Sequence, residues 1–352
     1  MTDMPRNIVL CLDGTGNQVR ADGNTNVLLL YQMLDVSDRD QQVAFYDPGV
    51  GTFASKGSWT RVGQRLTKGL GLVFGYGIKE NLGQAYTFIM DHYRPGDRVF
   101  VFGFSRGAFT ARALAGMSYR AGMMRRGSEN VVSYLVSSYT RGGSWTDREW
   151  KEIDQFARTF SHDHDGSLAM PIHFLGLWDS VKALGYLRWD PKWPYTRQLP
   201  NARTIRHAVS INERRRPYVE YLVESTERSD MRETWFAGVH SDVGGTFTDD
   251  DRLSRITLKW MVDGALQRDI ILRPRAYKRM CTLAPGDAAG TQHRMGRIWA
   301  LATYRRRPIP AGAEVHASVR DRMATTDYAL PTDEQSITWV DDDWSEPSPL
   351  AP

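Results

Sequence analysis

The chain has 352 residues, 41% of them hydrophobic, and its 45 basic and 41 acidic residues leave a net charge of +4. That is enough apolar material for one large α/β domain, while no apolar run approaches the roughly 18 residues of a membrane-spanning helix. The two cysteines, Cys11 and Cys281, lack the spacing of a disulfide framework, a structural zinc or a redox pair, so neither metal nor cofactor is assigned.

NIVLCLD (7 to 13) is an apolar run closed by a turn signal and predicts a buried strand. VAFYDPGVGT (43 to 52) predicts a second, stopping at Asp47-Pro48-Gly49. Ile78, Leu82, Ala85, Tyr86 and Ile89 recur at the helical period and predict a helix starting near Ile78 and ended by RPGD. A strand over 98 to 105 and a helix over 106 to 123 follow. The polar insert 124 to 170 carries one expected helix near 147 to 160. PIHFLGLWDS (171 to 180) predicts a strand ending at Trp178-Asp179. The loop 184 to 200, with two tryptophans, two tyrosines and three prolines, is read as an aromatic cap. Two further strands (204 to 213 and 232 to 242) and a helix (251 to 269) complete the pattern; 270 to 340 has weak periodicity, and the acidic tail 341 to 352 is expected to be disordered. Strands alternating with helices predict an α/β-hydrolase-like fold, a mostly parallel central sheet flanked by helices, as a single domain over 1 to 340.

Within this order VFGFSRGAFTAR (101 to 112) puts Ser105 between a strand and a helix, with Gly103 and Gly107 beside it. A serine nucleophile on a strand-to-helix elbow needs small neighbours of this kind, and the helix that follows aims its N-terminal dipole at a developing oxyanion. A base and an acid are then required. His240, in GVHSDVGG, ends an apolar run before a glycine loop and is the preferred base; His207 reads as a core histidine, and His293 and His316 lie in poorly patterned sequence. Asp179 is the preferred acid, with Glu213 as the alternative; Asn212 cannot carry the charge.

LDGTGN (12 to 17) is a glycine-rich turn after the first strand. Cys11 stands where an aspartyl phosphatase needs its nucleophile, and no P-loop lysine follows. The turn is expected beside Ser105, with the N–H of Gly14 or Thr15 completing an oxyanion hole with that of Arg106. Asp13 and Trp178, with Trp189 and Trp193 of the cap, are the expected substrate-binding residues.

Together LCLDGTGN, YDPGVGT, GFSRGAFTAR, LGLWDSV, RHAVSINERR and GVHSDVGG resemble, over residues 7 to about 265, the bacterial family that includes type VI secretion phospholipase effectors with an α/β-hydrolase catalytic domain. The resemblance implies an esterase or phospholipase with Ser105 as nucleophile, His240 as base and an aspartate such as Asp179 as third member. Where the family tends to show an aspartate this chain has Asn212, which shifts weight to Asp179. The expected partner is an ester or lipid substrate; peripheral membrane contact is compatible with it, but no sequence feature supports it. The Arg-rich runs NERRRP and YRRRP read as solvated faces and, without a nucleic-acid motif, imply no nucleic-acid partner. The opening residues lack a signal peptide, which predicts a cytoplasmic protein, with export by a type VI system implied by the resemblance. Two rivals of other classes remain: a non-catalytic binding module, favoured if His240 and Asp179 lie far from Ser105, and a metal-dependent phosphoester hydrolase using Asp13, Asp47, Asp242 and His240.

Overall fold

Period-two alternation along the strands sorts their side chains between two cores. In the first strand Ile8, Leu10 and Leu12 face one core while Val9 and Cys11 face the other; in the third, Val99 and Val101 oppose Phe100, Phe102 and Phe104. Strands with both faces covered belong to a parallel sheet buried between helical layers. The computed structural model describes residues 5–14, 21–49, 70–143, 145–164, 166–181, 192–224, 230–294 and 304–352. The elements run β1 (Asn7–Leu12), α1 (Asn26–Met33), β2 (Gln42–Asp47), α2 (Leu70–His92), β3 (Arg98–Phe104), α3 (Arg106–Ala121), α4 (Glu129–Tyr139), α5 (Asp147–Phe160), β4 (Ile172–Trp178), β5 (Ala202–Ser210), β6 (Asp230–Phe236), α6 (His240–Gly244), α7 (Arg252–Leu266), α8 (Pro274–Cys281), β7 (Glu314–His316), α9 (Ala317–Thr325) and β8 (Thr338–Val340).

Among the described residues the strands form one eight-stranded sheet in the order β2-β1-β3-β4-β5-β6-β7-β8, with every pairing parallel. The chain steps from β1 out to β2 and returns to β3 on the other side of β1. This reversal opens a crevice at the carboxyl ends of β1 and β3, where open α/β sheets bind ligands. Asp13 follows β1 and Ser105 follows β3, so both sit at its rim. Helices α2, α3 and α4 cover one face and α1, α7 and α8 the other. None of the described helices is long and apolar enough to cross a membrane.

Three expectations differ from the fold. The insert carries a second helix, α4, whose Val132, Leu135, Val136 and Tyr139 are buried. The start of the tail is packed: Asp341 accepts from Arg232 (2.9 and 3.0 Å) and from the Trp260 indole (2.9 Å), and Trp344 is buried and donates to Asp321 (2.8 Å). Trp193, expected to line an acyl pocket, lies instead in the core against Phe109 (centroids 5.3 Å apart) and Tyr139 (6.3 Å). Its loop passes beneath α3, and the indole fills the space there. Trp189 and the rest of 182–191 lie outside the described residues.

Candidate active site

Ser105 is held at φ 60° and ψ −119° between β3 and α3, a backbone conformation that costs a non-glycine residue of order 1–3 kcal/mol. Two close approaches impose it. A Cβ on Gly103 would lie 2.5 Å from the Gly107 carbonyl oxygen, and one on Gly107 would lie 2.0 Å from the Leu12 carbonyl oxygen. The two glycines of G-x-S-x-G thus let β3, α3 and the end of β1 meet at one point. The Ser105 N–H donates to the Trp178 carbonyl (3.0 Å), which ties the elbow to the end of β4 just before Asp179. Ser105 is only 7% exposed, and its side chain makes no capping bond to the helix it precedes.

The cavity above it, about 320 Å³, is lined by Asp13, Gly14, Gly23, Thr25, Leu28, Phe104, Ser105, Arg106, Tyr218, His240, Ser241, Thr246 and Phe247. His240 is the first residue of α6 and is buried between the rings of Phe104 (4.6 Å) and Tyr218 (4.8 Å, edge-on). Its Nδ1 lies 2.5 Å from Oδ2 of Asp179. A ring bonded through Nδ1 presents Nε2 on its other side, the geometry a general base requires.

Asp179, itself at φ 38°, accepts the Ser210 N–H (2.9 Å) on Oδ1 and a two-pronged bond from Arg307 (2.5 and 3.1 Å). Burial pushes this carboxyl up, but the Arg307 charge and the bonds from His240 and Arg307 outweigh it and hold the carboxyl well below the usual carboxylate range. Glu213, the alternative acid, is fully buried on other duties: it accepts from the Arg215 side chain (2.7 and 2.9 Å) and the His240 backbone N–H (3.2 Å). It holds the backbone of His240, whereas Asp179 holds the ring.

Sequence reading missed Arg307. Arg305 and Arg306 are exposed as a solvated run should be, but Arg307 is 5% exposed and turned into the site. Tyr218 was missed too. His207 is a core histidine, bonded to Glu233 (2.8 Å) and to the Ser180 N–H (3.1 Å).

Of the LDGTGN turn, Asp13 and Gly14 are described and line the same cavity as Ser105, but the Gly14 donor is committed elsewhere. The Gly14 N–H, expected to face an oxyanion, donates to Oδ1 of Asp13 (2.7 Å), a bond formed inside the turn. Oδ2 of Asp13 accepts from Thr25 (2.5 Å) and Tyr46 (3.0 Å). Thr15 lies outside the described residues. Arg106 opens α3 and lines the cavity, and burial lowers its guanidinium to about 10. Trp178, expected to touch substrate, is fully buried against Phe102 in the sheet core and does not line this cavity. Asp242 caps the Val239 N–H (2.9 Å) and binds His293 (2.6 Å), and among the described residues no three His, Cys, Asp or Glu side chains gather into a metal site.

The model of the family described as "T6SS, Phospholipase effector Tle1-like, catalytic domain" matches residues 6–264. An uncharacterized protein of Saccharomyces cerevisiae, YEL023C, is 37% identical over 223 residues, which cover 60% of this chain and 31% of that protein. The aligned stretch thus spans under a third of the length of this curated relative. Two solved structures are similar at lower levels. An uncharacterized protein from Pseudomonas aeruginosa shares 21% identity at a TM-score of 0.45, over 80% of this chain and 48% of that one. The Tle1 effector bound to the VgrG spike of the type VI secretion system shares 18% at a TM-score of 0.39, over 69% of this chain and 52% of that one.

Proposed function

We propose a function from one premise: this chain belongs to the Tle1-like family of type VI secretion phospholipase effector catalytic domains. On that premise the chain is a serine hydrolase that cleaves a carboxylic ester of a lipid, phospholipid included, through an acyl-enzyme. The observation that carries the reading is the convergence of an elbow serine, Ser105, and a carboxylate-bonded imidazole, His240, on one cavity.

In this mechanism Nε2 of His240 takes the Ser105 proton as Oγ adds to the ester carbonyl carbon. Asp179 keeps the imidazole in the tautomer with the proton on Nδ1 and stabilises the imidazolium. The backbone N–H of Arg106, at the first position of α3, faces the developing oxyanion with the positive end of the helix dipole behind it. Collapse of the tetrahedral intermediate breaks the ester C–O bond, and the imidazolium gives its proton to the leaving alcohol. Water, deprotonated by His240, then releases the acid and regenerates Ser105. Leu28, Phe104 and Phe247 offer the acyl chain an apolar wall.

A fluorophosphonate probe followed by peptide mass spectrometry tests the assignment. Labelling at Ser105, lost in His240→Gln, is expected, together with fatty-acid release from phospholipid vesicles. Labelling elsewhere, or hydrolysis that survives Ser105→Ala, overturns it.

A further inference from the structure

We infer that Arg307 is a positioning residue of the site: its guanidinium clamps the Asp179 carboxylate and the Tyr218 backbone together and so fixes two of the groups that hold the His240 ring. The inference rests on the serine-hydrolase reading above and extends the site beyond residues 6–264, the span the family shares.

Arg307 uses both terminal nitrogens twice. One donates to Oδ1 of Asp179 (2.5 Å) and the Ser210 carbonyl (3.0 Å); the other donates to Oδ2 of Asp179 (3.1 Å) and the Tyr218 carbonyl (2.6 Å). Asp179 follows β4, Ser210 ends β5, and Tyr218 lies in the turn after β5, so one side chain joins three segments around the imidazole. Oδ2 of Asp179 is also the atom that meets Nδ1 of His240, while the Tyr218 ring packs edge-on against that imidazole, with centroids 4.8 Å apart. The fork is rigid and planar, which suits a two-pronged carboxylate bond better than an ammonium does. The segment reaches the site by pairing beside the Arg214–Arg215 run: the Arg305 N–H donates to the Arg214 carbonyl (2.8 Å), and Arg215 bridges to Tyr304. The two arginine-rich stretches are therefore one structure, with Arg215 neutralising Glu213 and Arg307 neutralising Asp179.

A guanidinium that only filled space would leave the protonation of the base untouched. One that acts through Asp179 sets how much of the carboxylate's charge the imidazole feels. The other charged or titratable groups facing the pair and its clamp, Glu213, Arg215, His207, Tyr218 and Glu220, are unchanged in either variant below.

The test is the second-order rate of fluorophosphonate labelling at Ser105, measured from pH 5 to 9 on the full chain. Arg307→Gln is expected to slow labelling about 100-fold and to move the acid limb of the profile up by about one pH unit, because the imidazolium loses a neighbouring cation. Arg307→Lys keeps the charge and loses the fork, so it slows labelling about 10-fold with the limb in place. Circular dichroism establishes the fold of each. If Arg307→Gln does not fold, Arg307→Lys carries the test alone, and a wild-type rate there overturns the inference. So does a slowed Arg307→Gln with an unmoved limb, which marks a merely structural role. Absence of labelling in the wild-type chain overturns the functional reading and this one with it, whereas equal labelling of wild type and both variants overturns this one alone.

Discussion

The Gly14 N–H donates to Oδ1 of Asp13 at 2.7 Å, inside the turn that closes β1 beside Ser105. The same carboxylate receives the hydroxyls of Thr25, which caps α1, and Tyr46, on β2, so it organises the crevice floor. Asp13→Ala leaves these buried donors unsatisfied and is expected to cost about 2–4 kcal/mol. Asp13→Asn keeps the acceptor for Gly14, and both hydroxyls can turn to accept from its amide, so it costs about 1 kcal/mol. Urea unfolding of both variants checks the order. A stable Asp13→Ala with weakened substrate affinity would favour the substrate-binding role expected from sequence over this structural one.

Backbone strain at Ser105 separates stability from activity. Glycine adopts φ 60°, ψ −119° without the Cβ penalty, whereas alanine keeps it. Both Ser105→Gly and Ser105→Ala are expected to abolish hydrolysis, but the glycine variant should be about 1–2 kcal/mol more stable than the alanine one. Equal midpoints in denaturant would mean that the elbow stores no strain.

Those parts of the fold that sequence disclosed are those whose cause is local. β1, β3 and β4 are continuous apolar runs closed by turn signals, and the helical stripe of α2 is periodic over the part read from Ile78 onward. Ser105, His240 and Asp179 stand out as candidates because each ends or follows such a run. What stayed hidden depends on distant partners. β7 and β8 are three residues each, too short for a period; β7 exists by pairing onto β6, and β8 by pairing onto β7. α1 hides in a mostly buried apolar stretch whose start is marked only by the Thr25 cap. Arg307 sits 128 residues from Asp179 within a run whose other arginines face solvent, so nothing around it signals burial. Trp193 misled in the opposite sense, since proline-broken aromatic sequence reads as a cap while the indole fills the core.

That correction is testable. Removing a buried indole leaves a cavity, so Trp193→Ala is expected to cost about 3–5 kcal/mol while the relative kcat/KM for short and long acyl esters stays the same. A variant of near wild-type stability with altered chain-length preference would place Trp193 in the acyl pocket after all.

The last prediction is a pH dependence from Asp47, at the end of β2. Burial, reinforced by the nearby charge of Asp13 and opposed by the Gly49 N–H (2.8 Å), raises its carboxyl to about 6. A carboxyl raised on folding binds its proton more tightly in the native state, so its ionisation costs stability. The penalty is absent below the unfolded value, near 4 in round terms, grows as pH rises through the folded value of about 6, and is fully present above it. Asp179 works the other way: its carboxyl is depressed, and the stability it contributes is present above the unfolded value and fades as pH falls below it. Only Asp47 therefore titrates the fold between pH 5 and 7 from these two groups. Asp47→Asn keeps an oxygen for the Gly49 N–H and removes the charge, so it is expected to stabilise the protein by about 1–3 kcal/mol at pH 8 and by little at pH 4.5. Thermal melts of wild type and variant across that range give the difference directly. A gap that does not grow with pH would mean that the Asp47 carboxyl ionises in the folded protein as readily as in the unfolded chain.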